Sequence, residues 1–474
     1  MKVLFYSSYH ATPHIETELE IANKLLSEGH EVYFLRCLRQ LNICFANPDH
    51  TFLGCKVCIS KITRAYERIN VPNQNILSFP KVDINIDSIY NVEKIKTVNE
   101  LKALKYKGWD LGMAVASSLI STVRDHEPDL NYYRDFIKRG IRTAVFVYES
   151  GNKLIDEIKP DVVYLFNGRF LEVRPFMRLC ENKSIKFYTH ERGGVLKNYL
   201  LREKGIPHSL LLAKLEIKNL WENAGKDKEE IGRKFFEDRR NRVIQGWHSF
   251  TADQIAKKLP LDFDTSKESI AIFNSSMDEY EGIAEFKNRI YRNDNEAIET
   301  IVSAFKQDDT KHFYLRVHPN LKHLNNTQTK EINAFSNKYK NLTVIKAEED
   351  VDTYELMEKA SKIIVFGSTT GIEGVYWNKP VILLSRAFYE SLDCTYKPAS
   401  HAEVLKYIND PNLHPFNQYE ALKYGYWCLN MGIPYQYYTP TAVRKGSFEQ
   451  KPIMPHLFWR VFYIMQNKLK NAKA

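Results

Sequence analysis

Residues 363–374 read Ile363-Ile364-Val365-Phe366-Gly367-Ser368-Thr369-Thr370-Gly371-Ile372-Glu373-Gly374. An apolar strand runs into a small, hydroxyl-rich turn and then straight into a helix. Such a turn is expected to leave backbone N–H groups outward at a helix start, where the helix dipole favours an anion. Gly367 and Gly371 would let that anion approach, Ser368, Thr369 and Thr370 would add hydroxyl donors, and Glu373 could accept from ribose hydroxyls. The same residues also suit an ordinary strand-to-helix turn with a Ser/Thr cap. The stretch lacks G-x-x-x-x-G-K-[ST], so no ATPase loop is indicated, and it lacks G-x-G-x-x-G, which weakens a dehydrogenase reading.

Working outward, the same alternation recurs on both sides. The pattern predicts strands at Ile270–Phe273, Phe313–Val317, Leu342–Ile345, Lys362–Phe366 and Val381–Leu384, with helices between them. Earlier in the chain it predicts strands at Val3–Tyr6, Val32–Leu35, Val162–Phe166 and Ile185–Tyr188, and a first helix over Ile15–Ser27. Strands alternating with helices imply parallel, doubly wound sheets. The fold class is therefore α/β, with two Rossmann-like domains facing a cleft and a C-terminal helical tail. A charged, Pro-containing stretch at 255–268 suggests the junction. The expected domains are 1–260, with a Cys-rich insertion at 36–90, then 261–435, and a tail at 436–474.

Strand ends place further candidates on the same rims. Arg316 and His318 are two residues apart and point the same way along a strand, where they could grip a phosphate or position a base. Asn274, Ser275 and Asp278 follow the second domain's first strand as donors and a carboxylate, or simply as a capped helix start. In the first domain, Asn167 and Arg169 leave one strand, and His190, Glu191 and Arg192 end the next. His190 and Glu191 are adjacent titratable groups suited to general-base work. An ion pair of Glu191 with Arg169 or Arg192 is the structural alternative. His10 and His14 flank the first turn and could face the same cleft.

Composition bounds the rest. The chain has 474 residues, 44% hydrophobic and 26% charged, which excludes collagen-like and wholly disordered classes. Lys+Arg exceeds Asp+Glu by 67 to 58, an excess of +9 that suits an anionic substrate or membrane surface but is too mild to argue for nucleic acid. The opening MKVLFYSSYH has too short an apolar run for a signal peptide, so a cytoplasmic location with reduced thiols is expected. Cys37, Cys44, Cys55 and Cys58 end in a Gly-containing C-x2-C that could hold a structural Zn, or could be unligated. The tail, Leu457 to Met465 followed by Lys468, Lys470 and Lys473, is aromatic and basic enough to touch an anionic membrane, or to pack back as a final helix.

Together FNGR (Phe166–Arg169), THERGG (Thr189–Gly194), RVHPN (Arg316–Asn320), FGSTTGIEG (Phe366–Gly374) and NKPVILL (Asn378–Leu384) resemble bacterial capsule or surface polysaccharide biosynthesis proteins. These are similar to glycosyltransferases of the two-domain GT-B architecture. The resemblance implies transfer of a sugar from a nucleotide sugar to a glycan or lipid-linked acceptor. It puts the donor on the C-terminal domain, at His318, Ser368, Thr369 and Thr370, with Arg316 a further candidate from strand position, and the acceptor on the N-terminal domain, where His14, Asn167, Arg169 and Arg192 are the candidates. Glu191, His190 or Asp278 would be the base, and no cofactor or metal would be required for catalysis. Association with the inner face of the cytoplasmic membrane or with an export complex is compatible. A CDP-polyol phosphotransferase of teichoic-acid type, a nucleotide-sugar epimerase and a non-catalytic component of polysaccharide assembly stay open.

Overall fold

The computed structural model describes residues 1–84, 90–243 and 251–471. It contains two compact units. The first comprises residues 1–123, 128–208 and 432–474, and the second comprises 124–127 and 209–431. The backbone passes between them at 123/124, 127/128, 208/209 and 431/432.

In chain order the strands are β1 (Lys2–Ser7), β2 (Glu31–Arg36), β3 (Ile76–Ser78), β4 (Val162–Phe166), β5 (Lys186–Arg192) and β6 (Asn198–Glu203). Then follow β7 (Glu268–Phe273), β8 (Lys311–Arg316), β9 (Leu342–Ile345), β10 (Lys362–Val365) and β11 (Val381–Leu383). The last are β12 (Ile433–Pro434), β13 (Tyr438–Ala442) and β14 (Lys445–Phe448). The first unit's sheet runs β12-β6-β5-β4-β1-β2-β3, and the second unit's runs β11-β10-β7-β8-β9. Every pair in the second sheet is parallel. In the first sheet only β6 runs against its neighbours β5 and β12.

Both sheets are wound the same way. In each, the second and third strands lie to one side of the first, and the fourth and fifth lie to the other. The strand order therefore reverses between β1 and β4 in the first unit and between β7 and β10 in the second. Loops leaving the C-terminal ends of strands diverge at such a point and open a crevice for ligand. Alternate residues of each strand feed opposite cores, as the two-residue period requires. Ala271, Phe273, Tyr314, Ile363 and Val365 enter one core, and Ile270, Ile272, Phe313, Leu315 and Ile364 enter the other.

Two boundaries differ from the sequence expectation. Residues 209–243 belong to the second unit, not the first. Helices Leu210–Glu222 and Lys228–Arg240 are charged on the outside but bury Ala213, Ile217, Trp221, Phe235 and Phe236 with Leu422, Tyr424 and Trp427 of helix Tyr419–Asn430. The backbones touch there: a Cβ on Gly232 would lie 2.4 Å from the Leu422 carbonyl oxygen. The dense surface charge hid this apolar stripe. Residues 244–250, within the expected first domain, lie outside the described residues. The tail also starts earlier, at 432, and is integral to the first unit. The buried Glu20 carboxylate accepts the backbone N–H groups of Gln436, Tyr437 and Tyr438 at 2.6, 2.9 and 2.9 Å.

Candidate active site

In the second unit, three strand-end loops are stapled together at the reversal point. The Asn274 carboxamide oxygen after β7 accepts the His318 N–H after β8 at 2.8 Å. The Ser275 hydroxyl accepts the Gly367 N–H after β10 at 3.1 Å. Ser275 is itself fixed from behind. Its N–H donates to Asp294 Oδ2 at 3.1 Å, and its carbonyl accepts from Gln328 Nε2 at 2.8 Å. Asn274 and Ser275 therefore hold the loops in place. The Asn274 side-chain Nδ2 is buried beside them with no partner among the described residues.

The turn itself is tighter than expected. The Thr370 N–H is taken by the Ser368 hydroxyl at 3.3 Å, and the Gly371 N–H by the Ser368 carbonyl at 3.2 Å. The helix that follows, Thr370–Tyr376, has only seven residues, so its dipole is short. Gly371 is needed for packing, since a Cβ there would lie 2.3 Å from the Tyr389 hydroxyl. Half-buried Ser368, Thr369 and Thr370 keep the hydroxyl character the sequence suggested.

The cation at this turn is not the expected one. Arg316 is buried, and its guanidinium donates to the backbone carbonyls of Lys346 and, at 2.9 Å, Glu349. It clamps the loop after β9 and does not serve the Ser/Thr turn. Arg239, from helix Lys228–Arg240, takes that position with Nη2 3.3 Å from Thr369 Oγ1. Glu373 is likewise not open to a ribose. It is buried, and its two oxygens take Arg239 Nε at 3.1 Å and the Tyr354 hydroxyl at 2.5 Å. Burial works against the Arg239 charge, but Glu373 outweighs it and holds its pKa above the usual guanidinium value.

His318 is half-buried, and burial pushes its imidazole down to about 4, so the ring is neutral at pH 7. Its Nδ1 accepts the Asn320 N–H at 3.2 Å, which assigns the ring proton to Nε2. Asp278 is occupied: Arg124 Nε lies 3.0 Å from its Oδ2, and the Ser276 hydroxyl donates to its Oδ1. That pairing disfavours Asp278 as a free base.

In the first unit the reversal point gathers a second group. Asn167 and Gly168 follow β4 with φ of +58° and +85°, a left-handed turn that Asn and Gly adopt most readily. This turn aims Asn167 Nδ2 at Glu191 Oε2, 2.8 Å away. Glu191 Oε1 accepts the Arg192 N–H at 3.1 Å and lies 3.6 Å from His14 Nε2. Burial raises the Glu191 pKa, but His14, Asn167 and the Arg192 amide together hold it below the usual carboxylate value. The buried His14 ring is pushed down to about 3 and stays neutral. Its ring is tilted against Phe166 at 4.4 Å, and Phe166 stacks on Tyr9 at 4.7 Å.

His190 is sealed, with no exposed surface, and lies 3.4 Å from Glu18, so it does not serve as the base. Half-buried Arg169 donates to the Ser121 hydroxyl at 3.3 Å and lies over the Phe170 ring. Sequence reading missed the buried acidic run of the first helix, His14–Ser27. Glu16 pairs there with Lys61 Nζ at 3.2 Å, and Ser7 donates to Glu18. Its signal was present: three glutamates at alternate positions in a helix that must pack on β1.

Glu172, buried in the same unit, accepts the Phe45 N–H at 3.2 Å with Oε1, while Oε2 has no partner among the described residues. Burial pushes its carboxyl up to about 7. Its folded pKa thus lies above the unfolded value. The stability it contributes is full below about 4.5 and is lost as pH rises through 7. Glu172→Gln keeps the acceptor and removes the charge. It is expected to gain about 3 kcal/mol at pH 8 and almost nothing at pH 4, read by urea unfolding at both pH values. Equal gains at both would assign the effect to packing.

Cys55 and Cys58 lie within helix Phe52–Tyr66, whose first turn is capped by Thr51, so the expected Gly turn is absent. Among the described residues no group of three or more His, Cys, Asp or Glu is placed to hold a metal ion. Burial raises the pKa of all four thiols.

The chain thus has two Rossmann-like units, each with polar side chains converging where its strand order reverses. Residues 287–420, which carry the His318 loop and the Ser368–Thr370 turn, match a family described as capsule polysaccharide biosynthesis protein. Over that stretch the chain is similar to such proteins. No curated protein matches it. Solved structures similar to it include the β-Kdo 2,4 transferase of Thermosulfurimonas dismutans KpsC, at 15% identity over 56% of this chain and 78% of that one, TM-score 0.36. Also similar are UDP-GlcNAc 2-epimerase from Neisseria meningitidis (11% identity, 91% of this chain and 97% of that one, TM-score 0.25) and Acinetobacter baumannii MurG (12%, 89% and 94%, TM-score 0.26).

Proposed function

We propose that this chain is a glycosyltransferase of capsule polysaccharide biosynthesis, of GT-B type, with a nucleotide-activated sugar as donor. The observation that carries the reading is the stapled set of loops in the second unit, where Asn274 fixes His318, Ser275 fixes Gly367 and Arg239 reaches Thr369. In sugar transfer the acceptor oxygen bonds to the anomeric carbon. The bond to the donor phosphate breaks, and its electron pair leaves with the nucleotide. The developing charge on that phosphate is met by the Arg239 guanidinium, the Ser368 to Thr370 hydroxyls and the Nε2–H of neutral His318, all held in advance. Such a set can stabilise the leaving group without a metal. The acceptor, a glycan or lipid-linked sugar, belongs to the first unit, where Glu191 takes the hydroxyl proton.

The test is a thermal-shift panel of UDP, CMP, CDP and GDP sugars, since a ligand that binds the folded state raises apparent stability. A donor so found is then titrated calorimetrically into His318→Ala and Ser368→Ala. Each is expected to bind about tenfold more weakly, the loss of one good hydrogen bond to a charged group. Unchanged affinity in both rejects the donor site.

A further inference from the structure

The last helix, Leu457–Asn471, has its apolar face turned outward. Trp459, Tyr463, Gln466 and Asn467 recur at helical spacing and are its half-buried side. That side meets helix Phe52–Tyr66. The Trp459 ring lies 6.1 Å from Phe52 and 5.5 Å from the Lys56 ammonium, and the His456 N–H donates to Ser60 Oγ at 3.2 Å. The opposite side carries Leu457, Phe458, Val461, Phe462, Ile464 and Met465, exposed between 44% and 67%. A helix that only packed onto its own unit would show the reverse pattern. A contiguous apolar stripe of this kind marks a surface that another phase or molecule covers. Phe52 and Leu38, exposed by 47% and 43%, add further apolar surface to the same unit.

The charges on this segment and on the helix beneath it have one sign. From Gln450 to Ala474 the sequence has no Asp or Glu, but it has Lys451, Arg460, Lys468, Lys470 and Lys473. The Lys470 side chain and Lys473 lie outside the described residues. Helix Phe52–Tyr66 has no acidic residue either. Its Lys56 and Arg64 are not buried, and the Arg39 guanidinium lies 5.2 Å above the Phe52 ring. No helix among the described residues is long and apolar enough to cross a membrane.

We propose that this face seats in the surface of an anionic lipid bilayer. The Leu457 to Met465 stripe enters the acyl boundary, and Arg460 and Lys468 meet lipid phosphates. Apolar burial and attraction to anionic headgroups act together in such helices. A second copy of the chain is disfavoured as the occupant, because pairing two such faces would bring like charges together. The inference goes beyond the donor site and does not depend on it.

The experiment is flotation of the full chain with vesicles of phosphatidylglycerol and phosphatidylcholine, against phosphatidylcholine alone, at low and high salt. The wild type is expected to float with the anionic vesicles and to be released by salt. The double variant Phe458→Ser, Phe462→Ser is expected to bind them about tenfold more weakly, with its melting temperature and nucleotide-sugar thermal shift unchanged. The double variant Arg460→Glu, Lys468→Glu is expected to lose the preference for anionic lipid. Equal flotation of wild type and the Ser variant overturns the proposal, as does indifference to lipid charge. So does a wild-type dimer in sedimentation velocity that the Ser variant turns into monomer with no lipid binding in either. None of these outcomes touches the nucleotide-sugar shift, so this proposal and the transferase reading fail separately.

Discussion

Arg239→Ala is expected to lower donor affinity by about a hundredfold, the loss of two charge-assisted hydrogen bonds to the phosphate that the proposed function places there. The expectation follows from how Arg239 is held. Its Nε is fixed on the buried Glu373, which Tyr354 secures from the other side, and its Nη2 is thereby delivered to Thr369 in the Ser/Thr turn. Truncation also strands Glu373 as a buried carboxylate, so the Ala variant loses stability as well. Arg239→Lys separates the two effects. It keeps a positive charge for Glu373 but lacks the planar fork that reaches both Glu373 and the turn. Calorimetry on the Lys variant should still show a loss of about tenfold, with melting close to wild type. If Arg239→Lys binds the donor normally, Arg239 only braces Glu373, and the phosphate has another partner.

Glu191→Gln is expected to slow transfer by a factor of about 10² to 10⁴, the usual range for a positioned base, while donor affinity stays as it was. Gln keeps the hydrogen bond from Asn167 and the shape, but it cannot take a proton. The base must be ionised to act, and Glu191 is held below the usual carboxylate value by His14, Asn167 and the Arg192 amide. Turnover should therefore hold across neutral pH and fall only as acid protonates this group. Asn167→Ala is the milder companion. It removes the aiming contact and puts a less suitable residue at φ +58°, and it should lower kcat more than it changes donor binding. Normal turnover in Glu191→Gln removes this residue as the base.

The strands were the most legible part of the sequence. A parallel strand covered on both faces is a continuous apolar run, and Ile270–Phe273, Ile363–Phe366 and Val381–Leu384 announce themselves that way. β3, β6 and β12 escaped notice because these strands, Ile76–Ser78, Asn198–Glu203 and Ile433–Pro434, are short or mixed in polarity. The loop candidates fall at strand ends, and their side chains take different partners there. Strand parity would put Arg316 and His318 on one side, but β8 ends at Arg316 and His318 already belongs to the loop. It could not foresee that the carbonyls of Lys346 and Glu349 would capture Arg316. Arg239 lies 134 residues before Glu373, in a helix that reads as a charged surface segment, and no local pattern links the two. Glu191 stood out because it ends a strand beside a glycine-rich loop. The neighbouring His190 faces inward for the same alternating reason.

The discontinuous make-up of the first unit bears on dissecting the protein. A fragment of residues 209–431 holds nearly all of the second unit but omits Arg124–Glu127, and with it the guanidinium paired to Asp278. The first unit offers no uninterrupted counterpart. Isolating it would require splicing 208 directly to 432, so that Glu20 still receives the amides of Gln436 to Tyr438. Gene fusions and truncation series should be designed around those seams.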